Sequence, residues 1–304
     1  MASLKQIKGN IAAMKKSQAV TRAMEAVAAA KMRKSQQRAL AGRAYARAAA
    51  TVLARVSGTR DVHLHPLAMT NTAAPRGLYI VITSDKGLAG ALNSAVLKGA
   101  VSDMAREGLS PKDVSVIAIG KKAHDYFASR GFTIMHHVSN TDMLSSEDTR
   151  TIIARAQERY MGGEYRFVKV AYQNFVSTFE QRPTLRGVFP LAIEELTKVV
   201  ADIVPAKGAD AESESVAPTT YTIEPSAEEV IGAIMPRLAS VILYHALLES
   251  QASEHSARMV AMKSASDKAG EKQHELTLKF NKARQAAITR EVSEIIGGME
   301  AVAH

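Results

Sequence analysis

Nine histidines and thirty carboxylates are the residues here with the side chains for proton or metal chemistry. Their spacing assembles no coherent set. His63-x-His65 and the His136-His137 pair each offer two ligands with no third at metal-binding spacing, and no H-E-x-x-H run exists. His255 follows Glu254 on a helical stretch, but nothing nearby pairs with it as a nucleophile. Adjacent carboxylates at Glu194-Glu195 and Glu228-Glu229 fit solvated helix turns better than a general acid–base pair. With no Cys, thiolate metal sites, Cys nucleophiles and disulfides are all excluded, and a Gly-x-Ser-x-Gly elbow is missing. The run TSDKGLAGALN (83–93) stands where a strand hands over to a helix, the position of phosphate-binding loops. Yet Gly87 and Gly90 are three apart and no Lys-Ser/Thr follows, so a structural turn or partner-contact loop fits better than a nucleotide cradle. The expectation is a chain with no catalytic, cofactor-binding or metal-binding residues of its own.

Binding chemistry is another matter. Residues 1–55 carry twelve Lys or Arg (Lys5, Lys8, Lys15, Lys16, Arg22, Lys31, Arg33, Lys34, Arg38, Arg43, Arg47, Arg55) against a single acid, Glu25. The whole chain is only +9, so the remainder is close to neutral. A basic arm on a neutral body seeks an acidic partner: nucleic acid, an anionic membrane surface or a protein surface. A solvated helix face is the plainer alternative.

The elements that must present these groups fall into three parts. Residues 1–57 lack Pro, abound in Ala, Lys, Arg, Gln and Met, and space Leu4, Ile7, Ile11 and Met14 at helical intervals. One helix of some 50 residues is about 75 Å long. After a connector at 57–75, β-rich and helical runs alternate over 76–204: strands at 77–83, 114–120 and 132–138, helices at 93–108, 121–131 and 145–163, then one or two strands within 166–191. Such alternation predicts a mostly parallel, Rossmann-like α/β domain with right-handed crossovers. The stretch 205–225 is small, acidic and Pro-bounded, a linker. From Ser226 a second helix of about 70 residues, roughly 105 Å, runs to the end (226–304). Its stripe of Val230, Ile234, Leu238, Val241, Leu248, Met259, Met262, Leu276, Phe280 and Ile295 turns to small residues around 250–270. Two such helices bury narrow stripes most simply against each other, as a long antiparallel two-helix coiled coil.

Four runs in register, TRAMEAVAAAKMRK (21–34), TSDKGLAGALN, ASEHSARMVAMKSASDKA (252–269) and NKARQAAITREVSEIIGG (281–298), resemble signatures of the gamma subunit of bacterial F-type ATP synthases. So does the Tyr-x-x-Glu-Pro entry (221–225) to the last helix, and the resemblance covers essentially the whole chain. It implies a rotor shaft that couples proton-driven turning of a c-ring to ATP synthesis or hydrolysis at sites on the beta subunits. It also implies seating in a ring of alpha and beta subunits, a foot bound to epsilon and the c-ring, membrane contact only through the complex, and a peripheral place at the cytoplasmic face of the bacterial inner membrane. Carried over residue by residue, the family's contacts with beta map onto Met24, Lys31, Arg33, Lys86, Arg258, Lys282, Arg284, Gln285, Thr289 and Glu291, with Arg284 and Gln285 as charge and hydrogen-bond "catch" residues.

Two departures stand out. Lys86 and Ala89 occupy loop positions where many relatives have Arg and Cys, and no Cys-bearing regulatory insert is present. Two other readings fit part of the sequence. A basic coiled-coil nucleic-acid-binding protein fits the arm, although Tyr45 is its one aromatic for stacking on bases. A dinucleotide-dependent enzyme fits the α/β alternation but lacks the glycine fingerprint. The N-terminus lacks an apolar signal region, and no run reaches the roughly 20 apolar residues of a membrane span.

Overall fold

The computed structural model describes residues 3–56, 65–142, 144–191 and 226–302. The acidic stretch 205–225, residues 57–64 of the connector and the last part of the expected α/β region, 192–204, lie outside the described residues. Compactness divides the chain inside its two long helices. One unit comprises Met1–Ala29 with Arg258–His304, the other Ala30–Ala257.

Helix α1 (Leu4–Val56) is unbroken over 53 residues, as its Pro-free, Ala- and Lys-rich composition predicts. Strand β1 (Arg76–Ile82), helix α2 (Leu92–Arg106), strand β2 (Val114–Ile119), helix α3 (Lys121–Ala128) and strand β3 (Thr133–Val138) follow. Helix α4 (Ser146–Met161) opens on the expected Ser-x-x-Asp box: Ser145 accepts from the Asp148 N–H while the Asp148 carboxylate takes the Ser145 N–H. Strands β4 (Tyr165–Phe175) and β5 (Gln181–Phe189) then form a hairpin, so the region that allowed one or two strands supplies two.

The sheet order is β3-β2-β1-β4-β5, with parallel pairing except for the antiparallel β4–β5 edge. This is the Rossmann-like arrangement read from the alternation. The chain winds outward from β1 to β3, then crosses to β4 on the other side of β1. The strand order therefore reverses beside the loop that follows β1. β1 and β2 read as continuous apolar runs because both faces are covered. On one face Tyr79, Val81, Val116 and Ala118 pack with Val96, Ala100 and Met104 of α2 and Phe127 of α3. On the other, Ile80, Ile82, Ile117 and Ile119 meet Ile152, Ile153 and Ala156 of α4.

Helix α5 (Ala227–Val302) runs for 76 residues with Pro236 inside it. Its apolar stripe serves two surfaces. Met235, Leu238, Ile242, Leu243, Ala246 and Leu247 are buried in the sheet's second core layer. Farther along, within the unit formed by the two chain termini, a Cβ at Gly270 would come within 2.6 Å of the Gln18 amide of α1. In the other unit, Lys31 of α1 and His255 of α5 both bond Asp142. Stretches of α1 and α5 thus lie together within each unit taken by itself. The Gln18 side chain occupies the space that the missing side chain at Gly270 leaves.

Candidate partner-binding surfaces

The loop after β1 is built by short-range polar bonds. Thr83 bonds through its N–H to the Ile119 carbonyl and accepts at Oγ1 from the Ala123 N–H, 2.8 Å in each case. The Ser84 N–H donates to Asn93 Oδ1 (3.0 Å), Asn93 Nδ2 donates to Ser84 Oγ (2.7 Å), and Ser84 Oγ donates to the Lys86 carbonyl (2.5 Å). Asp85 Oδ1 accepts the Lys121 N–H at 2.8 Å, capping α3, whose N-cap residue Gly120 has no side chain. The Thr83 and Ser84 N–H groups and the Asn93 amide are therefore engaged within the fold. What the loop displays outward is Lys86 and Leu88. Leu88 is 61% exposed and held at φ 65°, a left-handed conformation costly for a branched side chain. Strain at an exposed apolar tip marks a contact surface more than a turn.

On α1, Lys31 and Arg33 are exposed in the unit Ala30–Ala257, while Met24 is half-buried in the terminal unit. Lys31 Nζ donates to Asp142 Oδ2 at 2.6 Å, so one cation expected to face a partner is engaged within the chain. Asp142 also bonds His255 Nε2 at 3.0 Å. Burial pushes the Asp142 carboxyl up, but the bonds from Lys31 and His255 outweigh it and hold the group below the usual range.

At the carboxyl end of α5, Lys282, Arg284, Gln285, Thr289 and Glu291 are all exposed, and Arg258 is half-buried. With 3.6 residues per turn, Lys282, Gln285 and Thr289 share one face, and Thr289 Oγ1 returns a bond to the Gln285 carbonyl at 3.0 Å. Arg284 and Glu291 share the nearly opposite face. The two expected catch residues are therefore adjacent in sequence but point to different sides. Between the faces runs an exposed apolar stripe: Ile288, Val292, Ile295, Ile296 and Met299. An apolar helix edge of this length, exposed among the described residues, marks an interaction surface.

The structure also assigns roles to residues that sequence patterning did not single out: Asp85, Asn93, Asp142 and Gln251. Gln251 and His255 are buried, and a buried polar group implies a partner, so their place in a small-residue stripe was the available signal. Asp142 carried none, lying in an ordinary polar loop. No group of three or more metal-ligating side chains occurs among the described residues, and no helix there is long and apolar enough to cross a membrane.

The fold is a mostly parallel α/β domain with two long terminal helices that present exposed polar and apolar surfaces. Comparison with known proteins gives the family. The ATP synthase family pattern matches residues 3–302. The ATP synthase gamma chain of Nitrosomonas eutropha is 38% identical over 303 residues, 99% of this chain and 100% of that one. That of Pelotomaculum thermopropionicum is 36% identical over the same shares. Among solved structures, a chain of the Tetrahymena thermophila mitochondrial ATP synthase central stalk and c-ring matches with TM-score 0.59 at 24% identity, covering 81% of this chain and 99% of that one. A chain of the Euglena gracilis mitochondrial ATP synthase matches with TM-score 0.63 at 17% identity over 98% and 94%. The chain belongs to the family of ATP synthase gamma chains. With that membership comes the function that the signatures imply, the central shaft of a rotary synthase.

Proposed function

We propose that this chain turns inside a ring of alpha and beta subunits, carried by a c-ring and bound at its foot by epsilon, at the cytoplasmic face of a bacterial inner membrane. The observation that carries the reading is the end of α5. Its apolar stripe is exposed among the described residues and flanked by two different polar faces. A shaft with unlike faces makes unlike contacts with three equivalent neighbours, which is the differential interaction needed to hold them in different states. Lys282, Gln285 and Thr289 supply one contact face, and Arg284 with Glu291 the other. The Arg284 guanidinium suits a bidentate carboxylate partner. Lys86, Arg33 and Lys31 supply rim contacts to an acidic surface of beta, with Met24 and Arg258 completing the set. Domain roles follow: 1–57 and 226–304 as shaft helices, 76–204 as the α/β domain, 205–225 as linker.

Pull-down of the tagged chain from its host's membranes tests this. Alpha, beta and epsilon subunits with ATPase activity should come with it; recovery of nucleic acid, or of the chain alone with a bound nucleotide, would overturn the reading. Reversing Lys31, Arg33 and Lys34 to Glu should impair coupled ATP synthesis more than ring assembly, because rim charges act through long-range electrostatics. The loss should shrink as salt rises.

A further inference from the structure

The segment after β3 touches three elements within four residues. Asn140 Nδ2 donates to the Thr83 carbonyl at the end of β1 (2.8 Å), and Asn140 Oδ1 accepts from Gln251 Nε2 (3.1 Å). The same Gln251 amide donates to the Thr141 carbonyl at 2.9 Å. The Asp142 carboxylate receives Lys31 and His255, and its carbonyl takes Arg38 NH1 at 2.5 Å. Two side chains of α1 and two of α5 thereby converge on residues 140–142. Across α5 a second line of bonds exists. Ser253 Oγ donates to the Gln173 carbonyl of β4 at 3.2 Å, and Ser256 Oγ to the Thr178 carbonyl in the β4–β5 turn at 2.6 Å.

These bonds occupy two faces of α5. Gln251 and His255, four apart, project on one side, while Ser253 and Ser256, three apart, project on another. Ser250 through Ser256 are all buried, and apart from Gln251, Glu254 and His255 they are small. Small side chains pack closely but offer no ridge that resists rotation of a helix about its own axis. Hydrogen bonds are directional and do resist it. A helix held by directional bonds on two faces cannot turn against the sheet without breaking one set. Apart from Lys31, none of these groups is among the candidate partner contacts, so partner binding does not account for the set.

We propose that residues 140–142 with the Ser253 and Ser256 contacts form a torsion lock, in which Asp142 is the positioning residue that keys α1 and α5 to the sheet so that torque applied to the α/β domain turns both helices. The inference rests on the shaft function and adds where load is transferred. The lock sits where the helix stripe is slimmest, the place at which packing alone is weakest against twist.

The chain has no Cys, so an Asp142→Cys/His255→Cys pair introduces its only thiols, and a short bifunctional thiol reagent can bridge them in the fully assembled complex. Torsional stiffness is read from angular fluctuations of a probe fixed to the α/β domain while the alpha–beta ring is immobilised. The unbridged pair and Asp142→Ala should be about twofold softer than wild type, because both remove the hub of a connected network. Bridging the pair should restore stiffness, and Asp142→Glu should stay near wild type. Subunit composition and ATPase rate, measured on the same complexes, separate softening from misassembly, and Asp142→Asn serves where the alanine variant does not assemble. Wild-type stiffness in the unbridged pair and in whichever of the alanine and asparagine variants assembles would overturn the lock. Failure of the wild-type chain itself to assemble or rotate would instead overturn the shaft reading.

Discussion

At the scale of single residues, two positions carry requirements that their neighbours make explicit. Gly120 has φ 97°, and a Cβ there would sit 2.1 Å from the Thr83 carbonyl oxygen. Backbone cannot move aside as a flexible side chain can. Gly120→Ala should lower the stability of the chain by at least about 1–3 kcal/mol in denaturant unfolding. The second position is Asp103 on α2, 4% exposed. It is bonded by Tyr79 Oη (2.9 Å) and Lys169 Nζ (2.8 Å) and paired also with Arg106. Burial pushes its carboxyl up, but the bonds from Lys169 and Tyr79 outweigh that and hold it below the usual range. The same site drives the Tyr79 hydroxyl well above its ordinary value, by burial first and then by Asp103. A carboxyl with a depressed folded pKa contributes stability that is present above its unfolded value, about 3.9, and is lost as pH falls through the folded value. Asp103→Asn should cost about 2 kcal/mol near neutrality. It should also flatten the loss of stability below pH 4 when unfolding is followed across the acid range.

At the scale of elements, the contact between α1 and α5 is set by the small residues that let the helices approach. A methyl at Gly270 would meet only the end of the Gln18 side chain, which can swing away. Gly270→Ala should therefore be neutral or stabilising, by up to about 1 kcal/mol from helix propensity alone. Gly270→Val, with a branched Cβ, should destabilise the pair; thermal unfolding of the two variants in parallel reads the difference. The elements were legible because each strand of the sheet's centre is a continuous apolar run and each helix carries a cap or a period. VSVIAI and GLYIVI are strands by composition, and Ser145 with Asp148 marks the start of α4 unaided. Less legible was the division of labour along α5. Leu238 and Val241 look in sequence like more of the same stripe as Met262, yet they pack on the sheet's core, because a helical period reports that a face is buried and not against what. For the same reason the candidate contact residues emerged only from the family signatures. Exposed Lys282 and Thr289 are indistinguishable by pattern from ordinary solvated positions.

At the scale of the whole molecule, the charge and apolar surfaces are segregated. The positive charge is concentrated in the first 55 residues, and the uncovered apolar stripe in the last 17. Replacing Ile295 and Ile296 by Asp alters residues that are already exposed, so the thermal unfolding of the chain should shift little, within about 0.5 kcal/mol per site. Co-purification with the alpha–beta ring should fall sharply, because the substitutions place charge where an apolar enclosure is expected. Retained co-purification would show that the end of α5 is not seated in the ring.

The stripe at Ile288, Val292, Ile295, Ile296 and Met299 has a consequence for the life of the chain before assembly. A copy outside an assembly displays a solvent-facing apolar ladder, the kind of feature by which chaperones and proteases recognise an orphan polypeptide. Copies that find a ring hide the ladder, and surplus copies keep advertising it. On the proposed function, the surface offered to the ring is thus also the one that would mark an unassembled copy for removal.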